Sequence, residues 1–311
     1  MTDPSLSSLI FRRPAPADAQ RVLELMIRHD VADYGVPDSS LEDLQYAWEH
    51  IDLECDAWLA EAPETGLAGY GAVVAEPGGL RYDVFADPRW RASGLAEALL
   101  ERCQQRGTEL VRDGAAGPTV RTYLAHVNEQ ERALFEVAGF CAVRYHFQMR
   151  IKLDKPPVPP EWPAGAAVRT TRPGQDDRAI HALIQTAFDR PGRTPQTFEG
   201  WQEFMMQPRL FRPELWFLAE ADGQLVGACL CVIYEPAGWV RQLGVAEAWR
   251  RRGLGTALLR HAFQEFWRRG LDYVGLGVTA DNERAVQVYE AAGMRRTQQY
   301  DEYEKTIHIG T

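Results

Sequence analysis

The sequence lacks the features that mark a secreted, metal-binding or membrane-spanning protein. Its 311 residues include five cysteines, and their spacings match neither a disulfide framework nor a zinc motif. The seven histidines are scattered, with no pair at the spacing of helical metal ligands, so we predict no metal site. A membrane helix needs roughly 20 apolar residues, and the longest apolar run, LVGACLCVIY, is about half that length.

Basic charge is also scarce. Lys and Arg number 34 against 44 Asp and Glu, which gives a formal net charge of −10. Because nucleic-acid-binding proteins usually present a basic surface, this balance argues against nucleic acid as a partner and mildly favours a cationic small molecule or peptide. The N-terminal residues carry no basic segment followed by a long apolar one, so we expect no signal peptide and a cytoplasmic protein without a membrane partner.

What the sequence does contain is an internal repeat. WRASGLAEALLERC begins at Trp90, and WRRRGLGTALLRHA begins 159 residues later at Trp249. The tetrapeptide LAEA recurs at the same offset. NEQERALFEVAGF, from Asn128, returns as NERAVQVYEAAGM from Asn282, and the longer connection RDGAAGP in the first copy accounts for the change of offset. A fixed period of this kind indicates a duplicated structural unit.

Between the two copies lies DKPPVPPEWPAG, whose five prolines favour extended backbone over helix or central strand. We predict a semi-rigid linker at 154–165 between an N-terminal domain, 1–153, and a C-terminal domain, 166–311. In each half, strand runs turned by Gly or Pro lead into the repeated Trp-Arg element, and helices then alternate with strands. This order predicts the α/β class, with a mixed sheet flanked by helices in each domain.

The second Trp-Arg element predicts an anion site. Gly253 and Gly255 let the backbone approach a ligand, and the helix that begins beside them exposes N–H groups and the positive end of its dipole. The arginines at 250–252 add bidentate donors. A P-loop would need Gly-Lys-Ser/Thr, and a dinucleotide fingerprint would need a third Gly where Leu258 stands, so an adenine-dinucleotide enzyme is disfavoured.

The pattern Arg-x-x-Gly-x-Gly/Ala resembles the coenzyme A pyrophosphate loop of the GCN5-related N-acetyltransferases (GNAT), and NERAVQVYEAAGM resembles a later motif of that family. The resemblance covers both halves. It implies two tandem GNAT-type domains with splayed mixed sheets, acetyl-CoA as cofactor, and the amine of a small molecule or peptide as acceptor. It further implies that Asn282 binds the pantetheine arm and that Tyr289 protonates the leaving sulfur. The implied cofactor-binding residues of the second half are Leu243, Val245, Arg250, Arg251, Arg252, Gly253, Leu254, Gly255, Thr256, Asn282, Ala285 and Tyr289.

The first half departs from this pattern at one telling position. Arg91, Gly94 and Ala96 keep the loop pattern, so coenzyme A binding there stays open. The residue that matches Tyr289 is Phe135, which has no proton to donate. We therefore predict catalysis in the C-terminal domain and a non-catalytic N-terminal domain.

The general base is the least defined part of the site. In tandem members of the family, a Glu at the head of the bulged strand is the expected base, but the alignment places Trp239 there. Glu235, four residues earlier at a hairpin turn, is our candidate, and a solvated turn carboxylate is the alternative. Trp239 either lines an acceptor pocket or packs in the core.

Two classes of function stay open at this point. The first is an N-acetyltransferase with a single active site, and the second is a non-catalytic acetyl-CoA-binding sensor or assembly module. Retention of Tyr289 beside a complete loop favours the enzyme. The acceptor is open among antibiotic, polyamine, amino-sugar thiol and peptide N-terminus, and we expect either a monomer, as an internal pseudo-dimer, or a homodimer.

Overall fold

A computed structural model describes residues 6–76, 78–189 and 195–309. The chain folds into two compact units, of which the first comprises 1–146 with 298–311 and the second comprises 147–297. Each unit is a mixed sheet flanked by helices, in agreement with the pattern of the sequence. Across the described ranges, no helix combines the length and the apolar character needed to cross a bilayer.

Twelve strands are formed within the described residues. In chain order they are β1 (Ile10–Arg12), β2 (Ala57–Ala62), β3 (Gly66–Glu76), β4 (Gly79–Ala86), β5 (Thr119–Ala125), β6 (Cys141–Lys152), β7 (Ala167–Thr170), β8 (Trp216–Ala221), β9 (Gln224–Tyr234), β10 (Ala237–Val245), β11 (Tyr273–Thr279) and β12 (Arg295–Thr306).

Eight α-helices of the described ranges alternate with these strands. They are α1 (Ala19–Tyr34), α2 (Leu41–Glu49), α3 (Leu95–Arg112), α4 (Glu129–Val137), α5 (Asp177–Ala187), α6 (Phe198–Met205), α7 (Leu254–Arg268) and α8 (Glu283–Ala291). The segment 154–165 contains neither helix nor strand.

The last strand of each repeat completes the sheet of the unit that contains the other repeat. β12 pairs antiparallel with β5 in the first unit, from Tyr300 opposite Ala125 to Thr306 opposite Thr119. In the second unit, the part of β6 after His146 lies beside β11, and the Leu153 N–H donates to the Asp272 carbonyl at 2.8 Å. The compact units therefore differ from the repeat boundaries 1–153 and 166–311 at these terminal strands.

This exchange predicts how fragments of the chain fold. A fragment 166–311 lacks Met149 and Leu153, which are 0% and 7% exposed in the core of the second unit. Loss of each such side chain costs about 2–5 kcal/mol, against a total stability of about 5–15 kcal/mol for an ordinary domain. We expect 166–311 not to melt cooperatively in circular dichroism, whereas the matched fragment 147–297 should. Cooperative melting of 166–311 would show that the exchanged strand is dispensable.

Strand alternation divides the core of the second unit between the two faces of its sheet. Cys229 and Cys231 of β9 face α7 and α8, with their sulfurs 3.6 Å apart, whereas Ala228 and Leu230 face α5 and α6. Residues two apart on a strand share one face, so the two cysteines pack on the same side of β9. All five cysteines are free.

The duplication also appears in a repeated ion cluster. Arg12 makes two hydrogen bonds of 2.7 Å to Asp18 and a third of 2.7 Å to Glu61. In the second unit, Arg169 contacts Asp176 at 2.6 and 2.8 Å and Glu220 at 2.5 Å. Each cluster ties the first strand of a repeat to its first helix and its second strand.

Candidate active site

The second unit has a bulged strand that loses its parallel neighbour midway. β10 pairs with β9 along its length, but the register shifts between Val240 and Gln242 and leaves Arg241 unpaired. β10 pairs in parallel with β11 only from Ala237 to Trp239. One edge of β10 is thus open beyond Trp239, where a ligand can lie along the strand.

The first unit opens in the same way but lacks the bulge. β4 pairs in parallel with β5 only over Gly79–Arg81, so the strands also part there. Its pairing with β3 runs from Gly79 to Ala86 without any register shift. The two copies therefore differ in the backbone of the strand that borders the opening.

The loop between β10 and α7 presents a row of free backbone donors. Among the described residues, none accepts a hydrogen bond from the N–H groups of residues 251–256. Arg251 and Gly253 have φ of 61° and 83°, and a Cβ added to Gly253 would meet nothing within 4 Å. This open turn at a helix N-terminus suits an anion such as a diphosphate, so the residues fit the family's cofactor.

The structure brings most of the predicted site residues of this unit together. A Cβ on Gly255 would lie 3.5 Å from Val288 of α8 and 3.7 Å from Val245 of β10, so the loop, the strand and α8 meet at this point. Asn282 accepts a hydrogen bond from the Ala285 N–H at 3.2 Å and caps α8. Its side-chain oxygen thus has a structural role in addition to the one that the resemblance implies.

Tyr289 lies inward from this meeting point. It is 8% exposed and packs in the core formed with α7. Burial raises the pKa of its hydroxyl, and the neighbouring Cys229 thiol raises it further. Since Cys229 is opposite Leu243 in the β9–β10 register, the phenol lies near the part of β10 that follows the bulge. Tyr289 is therefore protonated at neutral pH.

In the first unit, side chains occupy the corresponding place. Arg91 is paired with Asp33 of α1, and Asn128 donates to Asp33 and Glu131 at 3.2 Å each. Glu131 stands where the second repeat has Ala285, and Ser93 accepts a hydrogen bond from the Leu95 N–H at 3.3 Å. These contacts use groups that a cofactor would otherwise bind.

A buried histidine completes this network. His29 lies with Nδ1 3.7 Å from Asp33 and Nε2 3.4 Å from Glu131. Burial alone would lower the pKa of His29, but the carboxylates of Glu131 and Asp33 outweigh it and raise the pKa. These three residues are also a set that could hold a metal ion, although Arg91 already neutralises Asp33. The cavity beside them, which Arg91 and Ala96 help to line, has a volume of about 30 Å³, room for one or two waters.

The raised pKa of His29 predicts a pH-dependent stability. The imidazolium contributes stability that is fully present below its unfolded pKa of 6.5 and is lost as pH rises through the higher folded pKa. We expect His29→Gln to lower the free energy of unfolding at pH 6 by about 3 kcal/mol and to flatten its dependence on pH. Urea unfolding at pH 6 and 9 tests this. His308→Gln, at an exposed histidine, is the control, and parallel pH curves for wild type and His29→Gln would contradict the prediction.

The structure separates Glu235 from the remaining site residues. Glu235 is exposed in the turn before β10 and precedes Arg241 by six positions, which span at most about 20 Å of extended chain. Trp239 packs against β11, where a Cβ on Gly275 would lie 2.3 Å from its ring. Trp239 thus stands at the point where β10 and β11 stop pairing.

Two features of the site have only a weak signal in the sequence. α1 has 16 residues and α5 has 11, and the extra turns of α1 carry His29 and Asp33. The bulge adds one residue to β10, and the turn between β8 and β9, one residue shorter than the turn between β2 and β3, compensates for it. The greater length of α1 relative to α5 is the signal that points to His29 and Asp33.

Two copies of a splayed mixed sheet, one with a bulged strand leading into an open helix N-terminus, define an acetyltransferase of the GNAT type. The model of the acetyltransferase (GNAT) family matches residues 178–294. Mycothiol acetyltransferase from Acidothermus cellulolyticus is 30% identical over 91% of this chain and 90% of its own length, and that from Frankia alni is 33% identical over 74% and 72%.

Solved structures agree with this assignment. A GCN5-related N-acetyltransferase from Sphaerobacter thermophilus is 35% identical, with a TM-score of 0.84 over 100% of this chain and 98% of its own. A tandem GNAT protein from the clavulanic acid biosynthesis pathway shares the fold, with a TM-score of 0.73 at 16% identity over 97% of this chain and 100% of its own. The chain belongs to the GNAT acetyltransferase family, which confirms the family resemblance and the fold class predicted from the sequence.

Proposed function

We propose that the second unit binds acetyl-CoA and transfers its acetyl group to the amine of a small molecule or peptide. One observation carries this proposal: the bulge, the open edge of β10, the free N–H groups of the loop and Tyr289 all belong to the same unit. The first unit has neither the bulge nor a proton donor at Phe135.

Each group has a role that follows from its chemistry. The N–H groups of residues 251–256, with Arg250, Arg251 and Arg252, hold the diphosphate of acetyl-CoA, and Leu243, Val245, Asn282 and Ala285 border its pantetheine arm. Acetyl-CoA supplies an activated thioester. Backbone N–H groups near Val245 stabilise the negative charge that develops on the carbonyl oxygen. Tyr289, held protonated by burial, donates a proton to the departing sulfur.

The acceptor amine must lose a proton before it attacks. An alkylamine with a pKa near ~10.4 is about one part in 10³ neutral at pH 7, so reaching the reactive form costs about 4–5 kcal/mol. Glu235 is the candidate base that the sequence offered, and to act as one it would need the amine to lie near the turn before β10 or a chain of waters to join them.

Glu235→Gln separates these possibilities. Because the side chain is exposed and far from the bulge, we expect kcat/KM for the acceptor to fall less than tenfold, without loss of the acid limb of its pH profile. The measurement is steady-state thiol release between pH 5.5 and 9, with the exposed loop residue Glu247→Gln as control. A fall of a hundredfold, with the acid limb removed, would establish Glu235 as the base.

A screen of thiol release across varied amines tests the proposed function. The relatives' name makes a mycothiol-related amine the first acceptor to try, and the replacement of the expected Glu by Trp239 is the reason to include antibiotics, polyamines and peptides. We expect release above background with at least one class. If every amine gives background release while acetyl-CoA still raises the melting temperature, the chain is a cofactor-binding sensor or assembly module. A cytoplasmic location and a monomeric or homodimeric state stay predictions.

A further inference from the structure

One hydrogen bond joins α6 to the residue that follows the bulge. The indole Nε1–H of Trp201 donates to the side-chain oxygen of Gln242 at 2.9 Å. Trp201 is fully buried, and its ring packs against Trp216, with ring centroids 5.8 Å apart. Inside a core, a tryptophan N–H without an acceptor is unfavourable, so this bond constrains where Gln242 lies.

Gln242 reaches Trp201 only because the strand is bulged. Val240 faces the α7 core and lies opposite Cys231, whereas Gln242 lies opposite Leu230, whose side chain faces α5 and α6. In a regular strand, residues two apart share a face, so Gln242 would join Val240 in the α7 core with its amide unpaired. The hydrogen bond to Trp201 therefore exists in the bulged register and is lost in the regular one.

A second contact fastens the bulge to the same helix. The Arg241 guanidinium lies over the ring of Phe204, 4.3 Å from its centroid, and Nη1 is 3.4 Å from the Phe204 carbonyl oxygen. Arg241, which has no partner on β9, and Gln242, which follows it, thus both contact α6.

The first unit provides an internal comparison. The helix of the first unit that corresponds to α6 in the order of elements is α2. Trp48 of α2 donates to the Tyr70 hydroxyl at 2.9 Å. Tyr70 belongs to β3, and the neighbouring β4 is regular. The repeat without a bulge therefore satisfies its tryptophan N–H on a different strand.

We propose that Trp201 and Gln242 form a register lock that holds β10 in its bulged form, and that Gln242 is a positioning residue for acetyl transfer. This inference rests on the proposed function, because the bulged strand carries the backbone N–H groups assigned to the developing oxyanion. The lock acts through the backbone of β10, while the loop at residues 251–256 that binds the cofactor diphosphate is left in place.

Variants of the full chain test the lock. Gln242→Met removes the acceptor at similar size, Trp201→Phe removes the donor and keeps an aromatic ring, and Gln242→Glu keeps an acceptor. Trp216→Phe is the matched control, because Trp216 is equally buried and its Nε1–H has no hydrogen-bond partner among the described residues. The measurements are kcat, the acetyl-CoA Kd and amide hydrogen exchange of residues 238–245.

We expect Gln242→Met and Trp201→Phe each to lower kcat about tenfold, to leave the acetyl-CoA Kd within threefold, and to speed exchange in β10. The double variant should be no worse than either single one, since both remove one interaction. Gln242→Glu and Trp216→Phe should stay within threefold of wild type in kcat.

Two results would overturn the lock. The first is that Trp201→Phe and Trp216→Phe give the same kcat and the same exchange rates in β10. The second is that the double variant of Gln242→Met and Trp201→Phe lowers kcat by the product of the two single effects. If wild type releases no thiol with any amine, it is the proposed function that fails, and faster β10 exchange confined to the lock variants still decides whether the lock exists.

Discussion

Tyr289→Phe should lower kcat for acetyl transfer about 10²-fold while changing the acetyl-CoA Kd less than threefold. The substitution removes one buried hydroxyl and keeps the ring that α8 contributes to the core shared with α7. General acid catalysis is worth about 10²–10⁴-fold, and the lower end applies because a thiolate, with a parent pKa near ~8.5, leaves tolerably without a proton. Steady-state thiol release gives kcat, and calorimetric titration gives the acetyl-CoA Kd.

The first repeat supplies the control for this experiment. Phe135 is fully buried at the matching position of α4, so Phe135→Tyr places a hydroxyl in the unit that has a regular β4. We expect Phe135→Tyr alone to leave kcat at the wild-type value, and Phe135→Tyr combined with Tyr289→Phe to leave kcat at the lowered value of Tyr289→Phe. Full activity of Tyr289→Phe would remove the phenol from the mechanism, and rescue by Phe135→Tyr would place the chemistry in the first unit.

Gly253→Val should weaken acetyl-CoA binding at least 100-fold. Gly253 has φ of 83°, and the space beside it is open, so a branched side chain fills the approach to the free N–H groups without clashing with the protein. Its left-handed backbone makes the variant strained by about 1–2 kcal/mol, which the fold can bear. Gly253→Ala provides a milder variant, with an intermediate Kd expected from the same titration.

Gly94→Val is the matched change in the first unit, at φ of 80° before α3. Because Arg91 is already paired with Asp33 there, we expect the titration to keep one acetyl-CoA per chain and the wild-type Kd. Loss of binding in Gly94→Val with retention in Gly253→Val would move the cofactor to the first unit. Two sites in the wild-type protein would show that the ion network does not close the first one.

The sequence was most informative where a local rule decides the structure. The Gly-rich turn before α7 and the Asn caps of α4 and α8 follow from backbone freedom and from unsatisfied N–H groups, so residues such as Gly253 and Asn282 could be placed from the pattern alone.

Long-range pairing was beyond those rules. Two repeats of similar sequence offer two nearly equivalent partners for each terminal strand, and no local preference distinguishes them. The place of the bulge at Arg241 was likewise hidden, because the residue gained in β10 offsets one lost in the turn between β8 and β9, and the repeat stays in phase. The contacts of His29 and Gln242 depend on these tertiary choices, so neither residue was marked as part of a site.

The exchanged strands bear on why the chain keeps a copy that has Phe135 where the other copy has Tyr289. Met149 and Leu153 are encoded before the linker, yet they fill the core of the unit that contains Tyr289. A deletion that discards the N-terminal repeat therefore also removes part of the unit that we propose to be catalytic. Selection on the proposed chemistry of the second unit would thereby maintain a strand encoded in the first repeat, whatever residue stands at Phe135.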